Sequence, residues 1–168
     1  LQGWKMFAEE YAEIKPLLWL HTLPRDVAGQ DLYFIVDQLE IADSVIFSDS
    51  ISQWYGKPPS EMADIYNLFD AFILPTAGEG FGLPIVEAMS CGLPVAVTNF
   101  TTGPELTNNG ELGLLMDYDR LIIHNGHVLR AQIDPDTIFY GLEALWDSHE
   151  TMPHWKRRDI RSFIVENY

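Results

Sequence analysis

The chain has 168 residues, enough for one domain with a sizeable core, and it carries 25 acidic against 10 basic side chains, a formal net charge of −15. Nucleic-acid partners rest on a basic footprint, so this balance excludes them, and no apolar run approaches the roughly 18–20 residues that span a bilayer. The single cysteine, Cys91, has no partner for an internal disulfide and reads as a small apolar residue, compatible with a reducing compartment and a cytoplasmic location.

In chain order, Gln2 to Ile14 places Trp4, Phe7, Ala8, Tyr11 and Ile14 at helical spacing, with Glu9, Glu10 and Glu13 opposite. Lys15-Pro16 ends this helix, and Leu17 to Leu20 is a continuous apolar run of strand length. A polar loop, His21 to Gln30, leads to a second helix over Asp31 to Ile41 with Asp31 as its N-cap, then to a strand at Ser44 to Phe47. Ser48 to Ser60 reads as loop. Its Gly56-Lys57 pair lacks the upstream glycine of a phosphate loop, and two prolines follow. Ser60 is the expected N-cap of a helix from Glu61 to Phe69.

The next stretch organises the rest. Ala71 to Thr98 reads AFILPTAGEGFGLPIVEAMSCGLPVAVT. An apolar run to Leu74 ends at Pro75, a loop carries Gly78, Gly80 and Gly82, a helix starts at Leu83-Pro84 and closes at Cys91-Gly92, and Pro94 to Val97 is a second strand. Strand, loop, helix, strand of this kind is a parallel βαβ unit. The helix is apolar almost all round and is expected to be buried, which makes Glu87 costly unless it lies near the helix mouth or has a partner.

Beyond Thr98, Thr102 to Glu105 begins a short helix, Asn108 to Gly110 is a turn and Gly113 to Met116 a strand. Asn99-Phe100-Thr101 matches a glycosylation acceptor by chance in a chain without a visible secretory signal. Asp117 to Gln132 reads as irregular. His124 and His127 lie within it without a carboxylate or cysteine to complete a metal set, so a solvated loop is expected and no metal is called for. Pro135 to Trp146 and Trp155 to Val165 are the last helices, and Lys156 to Arg161 reads as a solvated basic face. The alternation of helix and strand predicts a Rossmann-like α/β fold, a parallel sheet with helices on both faces in three layers. Ligands bind such sheets beyond the carboxyl ends of the strands, where the Thr76 to Gly82 loop falls.

The helix start at Gly82-Leu83 offers unpaired N–H groups and the positive end of the helix dipole, which suit a phosphate, and the glycines allow close approach. Helical side chains lean toward the N-terminus, so Glu87 aims at the same mouth, with Glu79 on the loop before it. Carboxylates repel phosphate, so two acids flanking an anion site suit the hydroxyls of a nucleotide sugar. The alternative is that Glu79 is a solvated loop residue and Glu87 caps nearby backbone. The glycine spacing does not reproduce the dinucleotide fingerprint, which disfavours a dehydrogenase.

Phe72-Ile-Leu-Pro-Thr76 followed by Glu79-Gly-Phe-Gly-Leu-Pro-Ile-Val-Glu87-Ala-Met-Ser-Cys-Gly-Leu-Pro-Val95 closely resembles the donor-binding signature of retaining GT-B glycosyltransferases, a group that includes glycogen synthases and bacterial mannosyltransferases. Its hallmark is two glutamates separated by seven residues. Leu39 to Phe47 and Gly103-Pro-Glu105 are similar to flanking segments of the same family. The resemblance implies that Glu79 is the catalytic contact to the transferred sugar. It places the N–H groups of Gly80, Phe81 and Gly82 near that sugar's hydroxyls, Leu83 N–H on the diphosphate and Glu87 on the ribose hydroxyls. It implies a nucleotide-diphosphate sugar donor, retention of configuration, no cofactor or metal, and an unknown acceptor that is a sugar, a lipid or a protein glycan.

The family's Arg and Lys on the domain's first strand find no match here. The second strand runs into His21-Thr-Leu-Pro-Arg25 instead of a short glycine loop, leaving Arg25 as a candidate anion contact. Residues 1–168 are therefore expected to be a single nucleotide-sugar-binding domain, the C-terminal half of a GT-B fold. The missing parts would be its first strand, the N-terminal acceptor domain and the final crossing helix, so the piece alone would be inactive, with any peripheral membrane attachment coming through the missing domain. A sugar-nucleotide epimerase and a non-catalytic nucleotide-sugar-binding module are the alternative readings.

Overall fold

The computed structural model describes residues 1–25, 29–48, 56–124, 127–151 and 154–168, which form two compact units, Leu1–Pro58 and Pro59–Tyr168. In the first unit α1 (Gln2–Glu10) buries Trp4 and Phe7 and ends in a 3-10 turn, Ala12–Ile14, so the expected helix to Ile14 changes pitch before Lys15 takes a left-handed conformation. β1 (Leu18–Leu20) pairs in parallel with β2 (Val45–Phe47). Between them α2 (Leu32–Gln38) starts at its expected cap, the Asp31 carboxylate accepting from Phe34 N–H at 3.2 Å. Trp4 Nε1 donates to Ser44 Oγ at 3.0 Å, which ties the first helix to the turn before β2. Arg25 is not free for an anion, because its Nε donates to Asp31 at 2.8 Å and its guanidinium lies 5.5 Å from the Tyr33 ring centre. The loop expected over 48–60 falls largely on residues 49–55, outside the described residues.

The second unit opens with α3 (Pro59–Tyr66), so Ser60 lies inside the helix rather than capping it. β3 (Phe72–Leu74), β4 (Val95–Thr98) and β5 (Leu114–Met116) form a parallel sheet in that order. Strand residues alternate between faces. Val95 and Val97 pack with Ile85, Ala88 and Met89 of α4 (Leu83–Ser90), with Leu106 of α5 (Gly103–Leu106), and with Ile160 and Ile164 of the last helix, whereas Ala96 packs with Met116 and Leu145 on the other side. The sheet is therefore covered on both faces, which is why its central strand is buried at every residue.

Residues 117–132 are not irregular. β6 (Arg120–His124) and β7 (Val128–Gln132) make an antiparallel hairpin in which Ile122 faces Arg130 and Ile123 faces Leu129. Leu121, Ile122, Ile123, Val128 and Leu129 are exposed on it. Asn125-Gly126, a strong hairpin-turn signal in the sequence, lies outside the described residues. α6 (Pro135–Thr151) lies against β4 and β5, and α7 (His154–Asn167) lies along α4. The expected basic face of α7 is only partly solvated, since Arg161 Nη1 donates to Ser90 O at 2.7 Å and satisfies a carbonyl at the end of α4.

Candidate functional site

The loop between β3 and α4 stands at the carboxyl end of β3, as a parallel βαβ unit requires. Pro75 ends the strand and Thr76 anchors the start of the loop. The Thr76 carbonyl accepts from Thr98 Oγ1 at 2.7 Å, its hydroxyl donates to Glu79 Oε1 at 2.7 Å, and the same hydroxyl oxygen accepts from Gly78 N–H at 3.2 Å. Thr101 Oγ1 accepts from Glu79 N–H at 3.0 Å. Glu79 is thus half-buried and fixed through both its backbone and one carboxylate oxygen, while Oε2 has no hydrogen bond among the described residues.

After Glu79 the pattern reverses. The N–H groups of Gly80, Phe81, Gly82 and Leu83 donate no hydrogen bond among the described residues. Gly82 caps α4 in the left-handed region, φ 89° and ψ 44°, and its carbonyl accepts from Ile85 and Val86. A Cβ there would lie 3.0 Å from Leu106, 3.1 Å from Ile85 and 3.2 Å from Thr102, so glycine is required by both conformation and space. Pro84 follows in the first turn, where its missing N–H costs nothing. Gly80, Phe81 and Leu83 are exposed, and Phe81 meets Tyr168 edge to face at 6.0 Å.

The expectation that α4 is buried all round is corrected. Ile85, Ala88 and Met89 face the core, but Leu83 and Glu87, one turn apart, lie on an exposed face, so Glu87 carries no burial cost. It does have a partner: the Tyr66 hydroxyl donates to Glu87 Oε2 at 3.0 Å. Burial first, then the Glu87 charge, pushes the Tyr66 phenol above its usual range, so Tyr66 remains a neutral donor. Glu87 Oε1 has no hydrogen bond among the described residues.

The structure therefore joins Glu79, the four free N–H groups and Glu87 along one continuous loop and helix start. Thr101 and Tyr66, which hold the two acids from more than twenty residues away, escaped the sequence reading because only folding brings them together, whereas Thr76 holds Glu79 from within the same loop. His124 and His127 lie on the hairpin, and no group of three or more His, Cys, Asp or Glu side chains is placed to hold a metal among the described residues. Burial raises the Cys91 thiol above its ordinary range, as suits a packed side chain at the end of α4. Among the described residues no helix is long and apolar enough to cross a membrane.

Residues 2–124 match the family model described as "Glycosyl transferases group 1". The chain belongs to the group 1 glycosyltransferases. Among similar members, the O-antigen chain mannosyltransferase B of Escherichia coli is 39% identical over 77 residues, 46% of this chain and 20% of that protein. The D-inositol 3-phosphate glycosyltransferase of Acidothermus cellulolyticus is 26% identical over 131 residues, 74% of this chain and 28% of that one. The chain thus spans about a fifth to three tenths of the length of these relatives. The fold is that of GT-B glycosyltransferase structures. WaaG, a glycosyltransferase involved in lipopolysaccharide biosynthesis, aligns over 98% of this chain and 37% of its own with a TM-score of 0.64 at 17% identity. The C-terminal domain of LpcC, a group 1 family protein from Francisella tularensis, aligns over 99% of this chain and 76% of its own with a TM-score of 0.60 at 19% identity. The group 1 family and the α/β fold with parallel sheets are those expected from the glycine loop and its two glutamates.

Proposed function

We propose that this chain is the donor-binding part of a retaining glycosyltransferase that takes a nucleotide-diphosphate sugar. The observation that carries the reading is the run of four N–H groups, Gly80 to Leu83, unpartnered among the described residues, at the positive end of α4, with a carboxylate on either side. Leu83 N–H and the helix end would take the diphosphate. Glu79 would accept hydroxyls of the transferred sugar through its free Oε2, with Gly80, Phe81 and Gly82 N–H groups beside it. Glu87 would accept ribose hydroxyls through Oε1 while Tyr66 holds Oε2.

Catalysis in this reading is electrostatic. As the bond to the diphosphate breaks, negative charge grows on the leaving oxygen, and fixed N–H dipoles stabilise it without having to reorganise. The leaving phosphate takes the proton of the attacking hydroxyl on the same face of the sugar, so retention needs no separate protein base. No metal enters the scheme, and the acceptor would be held by parts of the whole protein other than this site.

Calorimetric titration of the full-length protein with UDP-, GDP- and ADP-sugars tests the proposal. One of the three should bind with competition from its free nucleotide. Binding of none would overturn the donor-site reading. Binding with sugar inversion or epimerisation, and no transfer to any acceptor, would favour an epimerase.

A further inference from the structure

We infer that the β6–β7 hairpin positions Glu79, with Arg130 as the residue that does so. The inference rests on the donor-site reading given above. Arg130 Nη1 donates to Gly78 O at 3.1 Å, and Ala131 N–H donates to Ala77 O at 2.9 Å, across more than fifty residues of sequence. A peptide unit is planar, so a carbonyl and the next residue's N–H move as one body. The Ala77–Gly78 plane is held at its carbonyl by Ala131 and at its N–H by Thr76 Oγ1. The Gly78–Glu79 plane is held at its carbonyl by Arg130 and at its N–H by Thr101 Oγ1. Both planes leading into Glu79 are thus pinned at both ends, and each N–H from Gly80 to Leu83 is free among the described residues.

Gly78 has a φ of 147°, a conformation that L side chains rarely adopt, whereas a Cβ there would make only ordinary contacts, 3.6 Å from Arg130 Nη1 and 3.4 Å from the Phe100 ring, so conformation rather than space calls for glycine. The base of the hairpin is itself braced: Arg120 Nε donates to Gln132 Oε1 at 3.1 Å and Asp119 N–H to Gln132 O at 2.8 Å. Ala131 is buried and Arg130 half-buried, so the strand holding the loop has little freedom. Thr76 holds one oxygen of the Glu79 carboxylate directly, and the hairpin fixes the backbone from which that side chain projects. Arg130 is then a positioning residue whose effect falls on the sugar-bearing donor and not on the nucleotide.

The test uses the full-length protein and its Arg130→Met and Arg130→Lys variants. Kd is measured for UDP and GDP, kcat and KM for nucleotide release from UDP-glucose and GDP-mannose, and amide hydrogen exchange over residues 76–82 without ligand. In Arg130→Met, kcat should fall roughly ten- to a hundredfold, the scale on which catalysis responds to small misplacements. Nucleotide Kd should stay within twofold, and the Glu79 amide should exchange faster. Lysine, which can still donate to the Gly78 carbonyl, should restore most of kcat and of the protection. Unchanged exchange and kcat in Arg130→Met would overturn the inference alone. A loss of nucleotide affinity matching the loss of kcat would overturn it in favour of a direct phosphate contact. A wild-type protein that binds no nucleotide would overturn the donor-site reading, and the inference with it.

Discussion

Tyr66 and Thr76 each give a hydrogen bond to one oxygen of a glutamate and leave the other open, so the two acids are oriented by different neighbours and should fail differently. Glu87→Gln should weaken free nucleotide and nucleotide sugar alike, by roughly tenfold, about 1.4 kcal/mol. Glu79→Gln should spare the free nucleotide and lower turnover of the sugar-bearing donor; equal losses for both ligands in both variants would sink the assignment of roles. Tyr66 also carries a pH signature. Its phenol is raised in the folded protein by burial and by Glu87, so its contribution to stability is fully present below the unfolded value of about 10 and is lost as pH rises beyond it. Urea midpoints should therefore fall between pH 9 and pH 11, and fall less in Tyr66→Phe; an identical fall in both proteins would show that other groups govern the alkaline limit.

At the scale of elements, α4 is held by its glycine cap in front and by α7 along its side. Gly82→Ala forces an L side chain into a left-handed conformation and against Leu106, Ile85 and Thr102, and should cost about 1–3 kcal/mol in urea denaturation while abolishing nucleotide binding. Ile160 of α7, fully buried against the α4 core, should cost about 2–5 kcal/mol on truncation to Ala, with nucleotide affinity retained under native conditions. The βαβ unit was legible because Pro75, Gly82, Pro84 and Gly92 punctuate it where strand, cap, first turn and helix end demand those residues. The hairpin was not. Leu121, Ile122 and Ile123 run together without the alternation that marks a half-buried strand, because both faces of the hairpin carry exposed apolar residues, and the Asn125-Gly126 turn signal is masked by the polar histidines on either side of it. The exposed setting of Glu87 was missed for a related reason: composition made α4 look apolar all round, and only the packing shows that Leu83 and Glu87 share the face left outside.

For the molecule as a whole, a net charge of −15 sets a repulsive background for the anionic donor proposed above, against which the end of α4 supplies a local attraction. Added salt screens long-range repulsion more than a short contact with fixed N–H groups, so donor affinity of the chain's site should hold or rise between roughly 50 and 300 mM KCl. A steep fall across that range, followed by calorimetry, would show that basic side chains, those of α7 included, carry the binding in place of the N–H groups. The family and the fold class were legible at this scale too, because the long glycine-and-glutamate stretch is specific. The distant partners of Glu79, Glu87 and the Gly78 carbonyl were not, since Thr101, Tyr66 and Arg130 are brought to them only by folding. In the proposed donor site, the four N–H groups that are free among the described residues carry one last consequence. Belonging to the main chain, they are the same whatever side chain stands above them, so an alanine scan would pass over Phe81 and Leu83 in near silence while the anion contact survived intact. Replacing the Leu83 amide by an ester, which deletes the N–H and keeps the side chain, is the substitution that would make the proposed contact visible, and under that proposal drift in the surrounding sequence could vary the sugar's environment without touching the grip on the phosphates.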